Sequence, residues 1–217
     1  MNKHFFRLLV LASVFVTAGW GTVIVSFGSD TVNEWNNQSS TGNNVVITAH
    51  PVWATLPPYQ WVSYANTGFG PGATSPSNTT IPGTPTAIFR EFLPGMTAAV
   101  RVTVFADDTA DVYLFDNANP AGLLLQSANP VLDVHCANGP IGCQLGEGWT
   151  SPWVFVDPTG PAWLEFRAYQ LGGGPFGLLY GGEAQVVPEP GTYAFLGAGL
   201  IALGLLRRLR SGSARNQ

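Results

Sequence analysis

Three hydrophobic patterns divide the 217-residue chain. At the N-terminus, Leu8 to Val16 is a continuous apolar stretch. Lys3, His4 and Arg7 precede it, and small residues follow at Ala18, Gly19 and Gly21. A basic start, a short apolar centre and small residues at a cutting point describe a secretory signal peptide. The stretch is short for a membrane span, which disfavours an uncleaved anchor. Residues 1–21 are therefore expected to form a signal helix, cut after Ala18 or Gly21, with Val23-Ile24-Val25 opening the first strand of the mature protein.

From residue 22 to 186 the pattern changes to short apolar runs punctuated by Gly, Pro, Asn and Thr. Such punctuation predicts strands and turns. Val45 to Thr48 and Gln60 to Tyr64 are expected strands, the second alternating so that Trp61 and Ser63 or their neighbours share a buried face. Ala87 to Leu93, Ala98 to Phe105 and Asp111 to Phe115 continue the series, and Trp153 to Val156, Ala162 to Leu171 and Phe176 to Tyr180 complete it. No part of this region repeats with a helical period. Many short strands at this spacing predict an all-β fold, a two-sheet sandwich rather than a barrel. Gly68 to Pro85 is a long Gly-, Pro-, Ser- and Thr-rich connection, either mobile or a binding loop.

The third pattern spans 187–217. Val187-Pro188-Glu189-Pro190-Gly191 leads into Tyr193 to Leu206, an uncharged run rich in Leu, Gly and Ala, and the basic cluster Arg207, Arg208 and Arg210 follows. As a helix this run spans only about 21 Å, against roughly 30 Å of bilayer hydrocarbon. A short transmembrane helix results, and the arginines hold its far end on the cytoplasmic side.

Charge follows the same division. The whole chain carries a formal −4. Between Thr22 and Val187, however, twelve acids face only Arg90, Arg101 and Arg167, with no lysine, leaving the core near −9. Nucleic acid binding needs a basic face and is excluded as a function class. Adsorption to anionic lipid by charge is disfavoured as well.

The motif, short helix and arginine cluster together resemble the PEP-CTERM sorting domain of Gram-negative bacteria. That resemblance implies a partner, the exosortase, a multi-pass membrane cysteine protease that recognises Pro188, Glu189 and Pro190. It further implies export, transient anchoring in the inner membrane, cleavage near the motif, and release to the surface or the exopolysaccharide matrix of a biofilm. The core resembles those of other PEP-CTERM proteins through His50-Pro51-Val52-Trp53, Trp61-Val62-Ser63-Tyr64 and the run Val104 to Leu114. Cys136 to Cys143 and Tyr169 to Gly174 extend the likeness. It implies a galactose-binding-like jelly roll. One departure is the turn after Tyr113-Leu114, which here begins Phe115-Asp116-Asn117 where an Asn-Gly hairpin is usual, and predicts a wider turn.

Candidate chemistry is sparse. Cys136 and Cys143, an even pair at close spacing in an exported protein, are expected to form a disulfide rather than a metal site. Asp107, Asp108 and Asp111, with Asp116, Asn117 and Asn119 nearby, supply hard oxygen ligands that suit calcium, but Asp and Asn are also the ordinary residues of turns. Adjacent Asp107 and Asp108 point to opposite faces of a strand and do not make an acid/base pair. Trp149, in Gly-Glu-Gly-Trp, is the candidate for stacking on a sugar ring. No nucleophile, zinc or phosphate-loop motif is present, and Gly172-Gly173-Gly174 lies between strands as a turn. The expected protein is a non-enzymatic exported surface or matrix protein; the alternative is a carbohydrate-binding module, with or without calcium.

Overall fold

The computed structural model describes residues 22–37 and 40–188, together with 197, 199–201 and 203. Val23–Val186 form one compact unit. The first holds thirteen strands: β1 (Val23–Gly28), β2 (Glu34–Asn36), β3 (Thr41–Asn43), β4 (Val45–Val46), β5 (Val62–Ser63), β6 (Ala87–Phe92), β7 (Thr97–Asp107), β8 (Thr109–Phe115), β9 (Leu123–Gln126), β10 (Trp149–Thr150), β11 (Val154–Phe155), β12 (Trp163–Tyr169) and β13 (Gly177–Val186).

They build the expected two-sheet sandwich. A seven-stranded sheet runs β10-β7-β13-β5-β4, with β1 also on β13 and β11 also on β7. A six-stranded sheet runs β3-β2-β6-β12-β8-β9. The pairings are antiparallel throughout. Alternation places the side chains. In β6, Ala87, Phe89 and Glu91 turn inward while Ile88, Arg90 and Phe92 turn outward, as the two-residue period of a strand requires. Phe89, Val112, Leu114 and Phe166 of one sheet meet Val100, Val102, Val104, Leu178 and Tyr180 of the other. Phe166 stacks on Tyr180 across the layers at 4.4 Å between ring centroids.

A second, smaller core lies on the outer side of the seven-stranded sheet. Phe105 and Leu179, opposed across β7 and β13, turn away from the main core and are nevertheless buried. Trp53, Trp61, Ile47 and the Cys136–Cys143 pair cover them. The rings of Trp53 and Trp61 lie 4.2 Å apart, and the Trp61 indole N–H donates to the carbonyl of Ala54 at 2.8 Å. This cover explains two differences from the expected strands. Only Val45–Val46 form the strand, although the Ile47 N–H still donates to Trp61 O at 3.0 Å while its side chain enters the second core. Trp61, Val62 and Ser63 are all buried, so alternation there sorts no exposed face. Further along, Gly28 and Gly181 form a floor for the Tyr59 ring, which occupies the space a Cβ at either position would need.

Strands β2, β3, β9 and β10 are not legible in the pattern; they are two to four residues long and owe their place to partners. The Gly68–Pro85 connection contains no strand but is held at several points. Phe69 N–H donates to Thr48 O at 2.8 Å, Thr79 N–H to Gln170 O at 2.6 Å, and Gly174 N–H to Ser75 Oγ at 2.8 Å. The expected wide turn joins β8 to β9, closed by Asp116, whose carboxylate accepts from the Asn119 backbone N–H at 2.7 Å.

Candidate functional site

Strand β13 carries the chain to the sorting segment. Its last residue, Val186, is opposed by Val23 of β1 on one side and Thr97 of β7 on the other. Pro188, the first motif residue, is therefore two residues beyond a strand fixed on both edges. Glu189 and Pro190 lie outside the described residues, as do Arg207, Arg208, Arg210 and the signal segment 1–21. Residues 197, 199–201 and 203 are helical. Among the described residues, no helix is long and apolar enough to cross a membrane.

Asp107 and Asp108, expected on opposite faces of a strand, instead hydrogen-bond each other through their side chains, while Asp111 is held apart by the Tyr169 hydroxyl. Asp107 is buried at the end of β7, on the side of the second core. Burial, reinforced by the neighbouring Asp108 carboxyl, raises its pKa from 3.8 to about 9, against the Trp53 indole, which favours the charged form. Asp108 is buried and accepts from the backbone N–H groups of Leu171 at 2.5 Å and Gly172 at 2.7 Å. It thus pins the Gly172–Gly174 turn, whose Gly172 and Gly174 N–H groups serve Asp108 and Ser75. Asp111 accepts from the Ala128 N–H and the Tyr169 hydroxyl, each at 2.8 Å. Of these acids, Asp108 and Asp111 fasten loops, the work Asp performs in turns. Among the described residues, no three of them converge as ligands for one ion.

Cys136 and Cys143 form a disulfide with their Cα atoms 5.9 Å apart. Glu147 Oε2 lies 3.1 Å from Cys136 Sγ, so these three groups are close enough to share a metal. With both sulfurs in the bond, no thiolate is available to bind one. Trp149 in β10 is opposed to Val104 and packs half-buried against the main core. The fold also brings His50 and His135 within 5.8 Å, a pairing their separation in sequence conceals.

The outer face of the six-stranded sheet holds what sequence reasoning missed. Register aligns Glu34, Arg90, Glu165 and Tyr113 in one row across β2, β6, β12 and β8. A second row aligns Phe92, Trp163 and Phe115. Glu165 is buried beneath two guanidinium groups: Arg90 bonds its Oε2 at 3.0 Å and Arg167 its Oε1 at 2.9 Å. The Arg167 guanidinium also sits 4.1 Å from the Tyr113 ring centroid. Trp163 and Phe115 stack at 5.0 Å, and Phe92 flanks them at 6.4 Å. Beside Arg90 opens a cavity of about 280 Å³ lined by Glu34, Trp35, Asn36, Thr41, Asn43 and Ile88. Two of the three core arginines thus converge on one carboxylate, each keeping spare N–H donors at the surface. The signal available in sequence was the outward parity of Arg90, Glu165 and Arg167; which strands lie side by side was not.

The chain matches no curated protein. Among solved structures it is similar to a family 35 carbohydrate binding module from Clostridium thermocellum, at 9% identity and a TM-score of 0.33, over 72% of this chain and 97% of that one. At that distance the likeness adds nothing to the architecture read from the strands themselves. Residues 186–210 match the PEP-CTERM protein-sorting motif. The chain therefore carries a PEP-CTERM sorting motif directly after its last strand, and that motif implies exosortase-dependent sorting of an exported protein.

Proposed function

We propose that this is a non-enzymatic surface or matrix protein whose C-terminal tail is a temporary membrane handle. The exosortase acts on Pro188-Glu189-Pro190, and the β-sandwich is the cargo released toward the exopolysaccharide. The supporting observation is the matched motif at 186–210 beginning where a self-contained sandwich ends. Its test places an epitope tag at Gly70, where the loop is open to solvent, and replaces Pro188, Glu189 and Pro190 by alanine in the native host. Wild type is expected to lose its tail and leave the inner membrane, while the triple variant stays full-length and membrane-bound. Identical processing of both forms sinks the proposal.

A second reading is that the released sandwich binds polysaccharide, and the outer face of the six-stranded sheet favours it. Guanidinium groups recognise carboxylates and hydroxyls through fixed N–H forks, and neighbouring aromatic edges offer apolar contact to sugar C–H groups. Arg90→Ala is expected to weaken binding to the host exopolysaccharide at least tenfold in a sedimentation assay. Equal binding by variant and wild type excludes this face.

A further inference from the structure

Both ends of the sandwich domain leave from one place. Val23, the first residue of β1, is opposed to Val186, the last of β13, and β7 begins beside them at Thr97. The apolar stretch ending at Val16 lies seven residues before Val23, and the run opening at Tyr193 lies seven residues after Val186. Fully extended, each connection reaches at most about 25 Å. β7, eleven residues long, extends on the order of 35 Å from this end to the other. Two short connections rooted in one residue pair leave little choice of which end lies nearest a bilayer holding either segment.

That end also carries exposed apolar side chains, with the Asp157 carboxylate beside them held by Thr159. Val23 and Ile24 are 52% and 50% exposed, Phe92 is 51% exposed, and Phe155 is 72% exposed. Phe155 is opposed to Ala99 near the start of β7, and Phe92 ends β6 just before the turn into β7. At that turn Met96 holds a left-handed backbone, φ 62°. Asn and Gly favour that region, and a bulky residue there marks a position kept for something other than local comfort. The nearby Arg101 and Glu183 neutralise one another at 2.8 Å.

We propose that this end, with Phe92, Met96, Phe155 and Ile24 at its rim, rests on the lipid surface while the tail is inserted. The inference rests on the sorting function proposed above. Lysine-free and acidic, the sandwich gains nothing from anionic headgroups, so the contact is apolar and depends on the tether. It ends when the tail is cut, which suits a protein meant to leave.

The test uses the full chain in its host, with Pro188, Glu189 and Pro190 replaced by alanine to retain the tail. Benzoyl-phenylalanine replaces Phe155, Phe92 or, at the opposite end, the exposed Phe69. Photolysis is expected to give lipid adducts at positions 155 and 92 at least tenfold above position 69. Comparable lipid labelling at 69, or adducts at 155 and 92 only with protein, overturns the proposal. The same gel scores the tail of the parent chain. A parent that keeps its tail as the triple variant does overturns the sorting function instead, whatever the lipid labelling.

Discussion

Phe166→Ala is expected to cost the sandwich about 3–5 kcal/mol, the range for deleting a large aromatic from a closed core. Phe166 is fully buried in β12 and stacks on Tyr180 of β13, so the ring belongs to both sheets at once. Its removal forfeits transfer energy and leaves a cavity that neither sheet closes without sliding on the other. Single domains hold only about 5–15 kcal/mol in total, so this one change removes about a fifth of the margin or more. The control is Phe155→Ala, whose exposed ring contributes within about 0.5 kcal/mol. Urea denaturation followed by tryptophan fluorescence compares them. If both variants shift the midpoint equally, the inter-sheet stack is not what joins the layers.

The second large effect is a loss of stability as pH rises. Asp107 goes from 3.8 to about 9 on folding, chiefly through burial. Glu91, facing the interior with Asn33 donating to it at 2.7 Å, goes from 4.5 to about 7 for the same principal reason. Both bind their protons more tightly folded than unfolded. Their contribution is therefore complete below about pH 4. It declines as the unfolded chain ionises, and is gone once pH passes about 7 for Glu91 and about 9 for Asp107. Asp107 has the wider gap between its unfolded and folded values and so carries the larger share of this loss, with Glu91 the smaller. Asp133 and Asp157, on the surface, are shifted downward by donors from His135 and Thr159, so their small contribution is lost only in acid. Stability should peak near pH 4–5 and fall toward pH 9. Asp107→Asn, which cannot ionise, should flatten the alkaline limb and be more stable than wild type at pH 8. Urea midpoints at pH 5, 7 and 9 decide it; a flat wild-type profile, or a variant no better at pH 8, defeats the assignment.

Much of the fold was legible because its long strands obey a simple rule. β6 and β8, and β7 from Val100 to Val104, alternate between core and surface, and that period is written in the residues themselves. The sorting segment was legible for a similar reason, since motif, apolar run and arginines act as a linear string that needs no partner to be recognised. The second core was not legible. Phe105 and Leu179 look like outward residues of their strands and become buried only because 47–61 and the disulfide loop fold over them. Nor was the fate of the acids: Asp107 and Asp108 meet through their side chains although strand alternation points them apart, and Asp111 goes to the Tyr169 hydroxyl.

By itself the sequence determined the export-and-sorting layout, the all-β class and the parity of each long strand, because these depend on composition, order and local period. Tertiary structure decided everything that depends on register between distant strands. It set Arg90 and Arg167 on one carboxylate 75 residues from Arg90, gave the seven-stranded sheet a second covered side, and placed Val23 opposite Val186. Antiparallel pairing of segments far apart in the chain is fixed by how two apolar faces close on each other, and no window of sequence contains both faces.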